Sequence, residues 1–259
     1  MADASSLPSP GLAGRSLFLA SVRDAAEAEI ARLAGADIID LKEPSQGALG
    51  AVDPETTKTI VAALAGRAVI SATIGDLPMQ PQAIGDAVLE RSRLGVDFVK
   101  IGLFADGDAR ACLDALRPLA RRVRLILVIF ADRRPAFDPA AAAASLGAFG
   151  IMLDTVNKSS GSLRHHVTPA ELAGFVASAK AHGLTAGLAG SLTREDVPDL
   201  LRLRPDLLGF RGALCHGARN STLDPVACAG VRALIPDADP APGLRPKAEL
   251  PEAIAPALC

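Results

Sequence analysis

The chain has no tryptophan and no tyrosine, and only eight phenylalanines among its 259 residues. That removes the aromatic platforms on which single-stranded nucleic acid stacks, and a formal charge of −2 supplies no field to steer a polyanion. No nucleic-acid partner is expected. Cysteine is sparse: Cys112, Cys215, Cys228 and Cys259 show neither a CxxC pair nor a His-paired metal spacing. They read as free thiols of a reducing compartment, with no metal site. Met1 to Arg15 lacks a basic segment followed by an apolar core, and no apolar stretch is long enough to span a bilayer. The expectation is a cytoplasmic protein with no membrane partner.

Lysine is also scarce, at six of 27 basic residues. Three of the six, Lys42, Lys100 and Lys158, sit at or just beyond the ends of apolar runs that read as buried strands. Arginine stays protonated in proteins, whereas a lysine withdrawn from water sheds its proton and can attack a carbonyl. In a chain that otherwise writes positive charge as arginine, lysine at these places points to a need for an amine.

With 49% hydrophobic residues the chain can bury one large core. Short β-type runs alternate with Ala/Leu-rich segments of helical period from about Ser16 to Ile235, the pattern of stacked βα units. The strands are expected at Ser16 to Ser21, Asp37 to Lys42, Ala68 to Ile74, Asp97 to Gly102, Val123 to Phe130, Ala148 to Asp154, Leu184 to Leu188 and Asp206 to Arg211. Asp53-Pro54 and Thr168-Pro169 mark helix starts. Eight such units in this length predict a single (β/α)8 TIM barrel over 16–235, after an N-terminal leader at 1–15. Six of the 19 prolines fall in 236–259, which reads as a tail.

Residues two apart on a strand share a face. If Ile39 and Leu41 pack under the helices, Asp40 and Lys42 point into the barrel mouth. Lys100 does likewise between outward Val99 and Ile101. Asp154 ends the sixth run, and Lys158 lies on the loop beyond it. Buried ion pairs fixing strand register would explain some of these charges, but pairing alone is served equally by arginine. Three amines and two carboxylates suit carbonyl chemistry: one lysine forms an imine, a second lowers its pKa, and carboxylates carry protons.

Glycine-rich turns follow the last two strands, Gly187-Leu-Ala-Gly-Ser-Leu-Thr193 and Gly209-Phe-Arg-Gly-Ala-Leu214. The backbone at Gly190, Ser191, Gly212 and Ala213, beside Arg211, is expected to cradle a phosphate. Ser21, Ser71 and Thr73 are expected near substrate hydroxyls, and Arg133-Arg134 near a second phosphate or in water. His165-His166 has no partner carboxylate at ligand spacing and reads as a solvated loop or a substrate-side contact, and Cys215-His216, neighbours in sequence, are not expected to act as a nucleophile pair.

Several of these motifs occur together and in order. Ala34-Gly-Ala-Asp-Ile-Ile-Asp-Leu-Lys-Glu-Pro44 with Gly47-Ala-Leu-Gly50, Gly95-Val-Asp-Phe-Val-Lys-Ile-Gly102, Met152-Leu-Asp-Thr-Val-Asn-Lys158 and Gly187-Leu-Ala-Gly-Ser191 make the chain resemble the (5-formylfuran-3-yl)methyl phosphate synthase family of methanofuran biosynthesis. The resemblance spans roughly Ser16 to Pro236. It implies a barrel related to class I aldolases that needs no metal or other cofactor. The implied reaction joins two molecules of glyceraldehyde 3-phosphate with loss of phosphate and water, a carbon–oxygen lyase chemistry. It further implies Lys42 as the Schiff-base amine, Lys100 as the proton acceptor, and Asp40, Asp154 and Lys158 as acid/base and electrostatic partners. A class I aldolase, a sugar-phosphate isomerase and a non-catalytic sugar-phosphate-binding barrel stay open as alternatives, and so does homo-oligomerisation.

Overall fold

Each of the eight apolar runs forms a strand. A computed structural model of the chain describes residues 15–158 and 160–236. The leader expected at 1–15 and the tail expected at 236–259, with Cys259, therefore lie outside the described residues apart from Arg15 and Pro236. The strands are β1 (Leu17–Val22), β2 (Ile38–Leu41), β3 (Val69–Thr73), β4 (Phe98–Leu103), β5 (Arg124–Phe130), β6 (Gly150–Asp154), β7 (Thr185–Leu188) and β8 (Leu207–Phe210). All pair in parallel with their sequence neighbours, and β8 pairs with β1 to close the barrel. The helices are α1 (Ala25–Leu33), α2 (Pro54–Leu64), α3 (Pro81–Arg93), α4 (Ala109–Ala120), α5 (Pro139–Leu146), α6 (Leu163–His166), α7 (Pro169–Ala181), α8 (Val197–Arg202) and α9 (Pro225–Arg232). Asp53 caps α2, and Thr168 caps α7 in a reciprocal capping box with Glu171, as the sequence signals predict.

Alternation along the strands sorts the apolar residues into two clusters. Leu19, Ile38, Val69, Phe98, Val128 and Met152 fill the barrel, while Phe18, Ile39, Leu41, Val99, Ile101 and Leu153 pack beneath the helices. Strand direction then places each strand's last residues at one end of the barrel.

The opposite end is fixed by aspartates. Asp37, Asp97 and Asp206 each stand just before a strand and accept a backbone N–H from the preceding strand: Phe18 at 2.8 Å, Ile70 at 2.9 Å and Ala186 at 2.8 Å. These bonds continue the ladder by one link and fix register where the strands begin. Asp37 also pairs with Arg15 at 2.7 Å and Arg232 at 2.9 Å, tying both ends of the barrel segment to β2.

One loop is seated over the mouth by a missing side chain. A Cβ on Gly102 would fall 2.7 Å from Phe104 and 2.8 Å from Leu49, so glycine leaves the space that these two side chains occupy. Asp76 holds the same loop, accepting the N–H groups of Ala48 and Leu49, each at 2.7 Å.

Candidate active site

The inward positions of β2, β4 and β6 carry charge where the barrel opens. Asp40 is fully buried and accepts three hydrogen bonds, from Ser21 at 2.9 Å, Ser71 at 2.6 Å and the Lys100 amine at 3.0 Å. The deep carboxylate is thus satisfied on both oxygens, as a buried charge must be. Asp154, at the end of β6, accepts the N–H of Thr155 at 2.7 Å and contacts two amines: Lys158 on one oxygen and Lys42 at 3.7 Å on the other. The loop carrying Lys158 is pinned because Asp132 accepts the N–H groups of Val156 and Asn157, both at 2.9 Å.

Two carboxylates can balance two of the three amines, and Lys42 makes the longest of the contacts. Burial accordingly lowers Lys42 from its ordinary 10.5 to about 7; Asp154 opposes the shift, and Lys158 and Lys100 reinforce it. Burial pushes Asp154 the other way, but Lys158, Lys42 and the Thr155 N–H outweigh it and hold this carboxyl well below the usual range. The site therefore combines an amine that is substantially neutral at neutral pH with a carboxylate that stays ionised. The first can attack a carbonyl, and the second can stabilise the cation that results.

Lys42, Lys100, Asp154 and Lys158 line a cavity of about 470 Å³ together with Ser21 and the turns after β7 and β8. The N–H groups of Gly190, Ser191, Leu192, Gly212 and Ala213 donate to no acceptor among the described residues. Gly190 has φ +104° and Ser191 has φ +47°, a left-handed pair that turns the chain sharply at the cavity wall. The Ser191 hydroxyl donates to the Lys158 carbonyl at 3.0 Å, which joins this turn to the amine-bearing loop.

The match to known proteins covers almost all of the barrel. The family model described as 4-HFC-P synthase matches residues 18–232. The chain belongs to this family. It is 45% identical to a candidate (5-formylfuran-3-yl)methyl phosphate synthase of Methylorubrum extorquens, over 81% of this chain and 87% of that one. It is 34% identical to the (5-formylfuran-3-yl)methyl phosphate synthase of Methanosarcina mazei, over 80% of this chain and 93% of that one. Among solved structures, phosphoribosyl anthranilate isomerase from Thermus thermophilus superposes with a TM-score of 0.59 at 17% identity, over 84% of this chain and 98% of that one. That likeness establishes the barrel and nothing further.

Within this family member, some expected contacts are redirected. Ser71 does not reach the cavity: its hydroxyl is fully buried and given to Asp40, so it orients the carboxylate. Thr73 likewise donates to the Leu41 and Gly50 carbonyls. Arg211 borders the cavity, but its guanidinium pairs with the buried Glu27 and donates to the carbonyls of Ser21, Arg219 and Ser221. These contacts tie Arg211 to the loop after β8 and to α1. Arg133 and Arg134 lie outside the cavity, and Arg134 pairs with Glu171 at 3.3 Å. His165 accepts the Ser162 N–H, and the Cys215 thiol donates to the Arg211 carbonyl, so both serve local structure. Among the described residues, no three of His, Cys, Asp and Glu come together as a metal-binding group, and no helix is long and apolar enough to cross a membrane.

Sequence reasoning misses Arg219 and the Arg194–Glu195 pair, which line the cavity. Arg219 lies in an aperiodic loop and is one arginine among 21, so nothing in the pattern distinguishes it.

Proposed function

We propose that this protein is a cytoplasmic (5-formylfuran-3-yl)methyl phosphate synthase that joins two molecules of glyceraldehyde 3-phosphate through an imine on Lys42. Family membership supplies the reaction. The observation that carries the mechanism is Lys42 itself, an enclosed amine with its pKa lowered to about 7 beside an ionised Asp154. Its neutral form attacks the aldehyde of the first triose, and loss of water gives an iminium that makes the proton on C2 acidic. Lys100 in its neutral form, with Asp40 beside it to balance the ammonium that results, accepts that proton. The resulting enamine expels the phosphate on C3, and the enol so formed makes the carbon–carbon bond from its C3 to the carbonyl of the second triose in its ketone form.

The phosphate on C3 of a triose is β to the carbon that loses its proton, so elimination from the same intermediate expels it. Two trioses less one phosphate and two waters leave the six-carbon furan aldehyde phosphate, and aromaticity makes the last dehydration irreversible. The carbon–oxygen cleavage makes the enzyme a carbon–oxygen lyase. Ionised Asp154 stands beside Lys42 to stabilise the iminium, and Lys158 gives protons to departing oxygens. The free N–H groups at Gly190–Leu192 and Gly212–Ala213 hold an ester phosphate.

Borohydride trapping with glyceraldehyde 3-phosphate, followed by peptide mapping, tests this reading. The reduced adduct is expected on Lys42. Because protonated amine is inert, the trapping rate rises about tenfold from pH 6 to pH 8 and then levels, following the neutral fraction of an amine with pKa about 7. An adduct on Lys100 alone, or none at all, would remove the Schiff-base assignment.

A further inference from the structure

Two triose phosphates bring two phosphate groups into one cavity, and the cradle after β7 and β8 accounts for one. The three lysines are engaged with Asp40 and Asp154, and the Arg211 guanidinium is turned to Glu27 and backbone carbonyls. Arg219 is different. It lines the cavity, is half-buried, and makes no ion pair among the described residues. Among the described residues its guanidinium hydrogen-bonds only the Gly47 carbonyl, at 3.5 Å, the outer limit of a hydrogen bond, on the opposite loop of the mouth. Its backbone is nevertheless fixed: Arg211 donates to the Arg219 carbonyl at 2.9 Å and to the Ser221 carbonyl at 2.7 Å. A pinned backbone thus carries a weakly engaged cation across the opening.

Resting on the activity proposed above, we infer that Arg219 binds the second substrate phosphate, the one that is expelled. The leaving group must depart through the mouth, where Arg219 stands, whereas the phosphate kept in the product can stay on the neutral N–H cradle. In the elimination the C3–O bond breaks, its electron pair passes to the phosphate oxygen, and the electrons of the lost C2–H bond form the new double bond. The proton goes to Lys100. A guanidinium meets two oxygens of the departing phosphate at once and stabilises the charge gathering there.

The test uses the full chain with Arg219→Gln and Arg219→Lys, glyceraldehyde 3-phosphate as substrate and inorganic phosphate as product inhibitor. Arg219→Gln is expected to slow furan formation roughly tenfold to a hundredfold and to weaken inhibition by phosphate by a similar factor, as loss of a charged hydrogen-bonding partner does. Arg219→Lys keeps the charge but loses the fork, and it recovers part of both. Borohydride trapping of unphosphorylated glyceraldehyde at Lys42 stays within about twofold, which loss of the fold would not permit. Wild-type rate and wild-type phosphate inhibition in the two variants would overturn the assignment of Arg219 alone, and so would a parallel loss of trapping. Failure of the wild type to form furan would instead overturn the activity, and this inference with it.

Discussion

Around strand β2 the two ends of the barrel answer their carboxylates with different cations, whereas before β8 it is a lysine, the part-exposed Lys180, that meets Asp206 at 3.5 Å. Where the strands begin, Asp37 is met by two arginines and a backbone N–H. Where they end, Asp40 and Asp154 are met by lysines. Strand β2 shows both solutions within six residues, with Asp37 before it and Asp40 and Lys42 at its mouth end. Arginine holds a fixed charge in a planar fork and gives a permanent tie. Lysine can exchange its proton, and it does so most readily where water is excluded and other amines crowd it. The difference separates the end that closes the barrel from the end that can do chemistry.

The most damaging way to break this contrast is to move the arginine solution to the mouth. Lys42→Arg keeps the positive charge and removes the nucleophile. Turnover is expected to fall by on the order of 10⁴-fold or more, with the far-ultraviolet circular dichroism unchanged. A Lys42→Arg variant that kept substantial furan formation would show that the amine is not the reacting group.

The reverse change is expected to affect stability alone. Asp37→Asn keeps an acceptor for the Phe18 N–H but loses the charge that Arg15 and Arg232 share. Asp37 is only partly buried, so a loss of about 1–3 kcal/mol in denaturant unfolding is expected. Both kcat and KM should stay within about twofold, because the cluster lies at the far end of the strand from the cavity. A fall in kcat comparable with the fall in stability would mean that the two ends are coupled and the contrast is wrong.

The contrast is partly legible in the amino-acid sequence. Period-two alternation sets the inward direction of Asp40, Lys42 and Lys100, because a strand buried on both faces leaves few places for charge. The rarity of lysine singles out the amines. The roles of hydroxyls and arginines are not legible, since they depend on contacts between distant segments. Ser71 sits on an inward strand position like Ser21, yet it serves Asp40 and only Ser21 borders the cavity. Arg211 stands in the glycine-rich turn, but Glu27, 184 positions away in sequence, claims its guanidinium. Arg219 carries no local signal, because its place is set by Arg211 holding its carbonyl.

The smallest expected effect concerns the two halves of the phosphate cradle, which look alike in sequence and differ in geometry. Gly190 has φ +104°, and a Cβ there would lie 3.1 Å from the Thr155 nitrogen and 3.2 Å from an Asp154 oxygen. Gly212 has no left-handed φ, and its Cβ would meet only the Arg219 Cβ, at 3.8 Å. Gly190→Ala therefore combines backbone strain, about 1–2 kcal/mol for a left-handed residue with a side chain, with crowding of the carboxylate that serves Lys42. A severalfold rise in KM for glyceraldehyde 3-phosphate is expected, with a small drop in thermal stability. Gly212→Ala is expected to leave both within about twofold, because its N–H stays where it was and the added methyl finds room. If the two substitutions raise KM equally, the phosphate presses on both turns at van der Waals distance and the cradle is tighter than the backbone alone requires. If neither does, the ester phosphate lies away from the turns after β7 and β8, and the free N–H groups there serve something other than substrate.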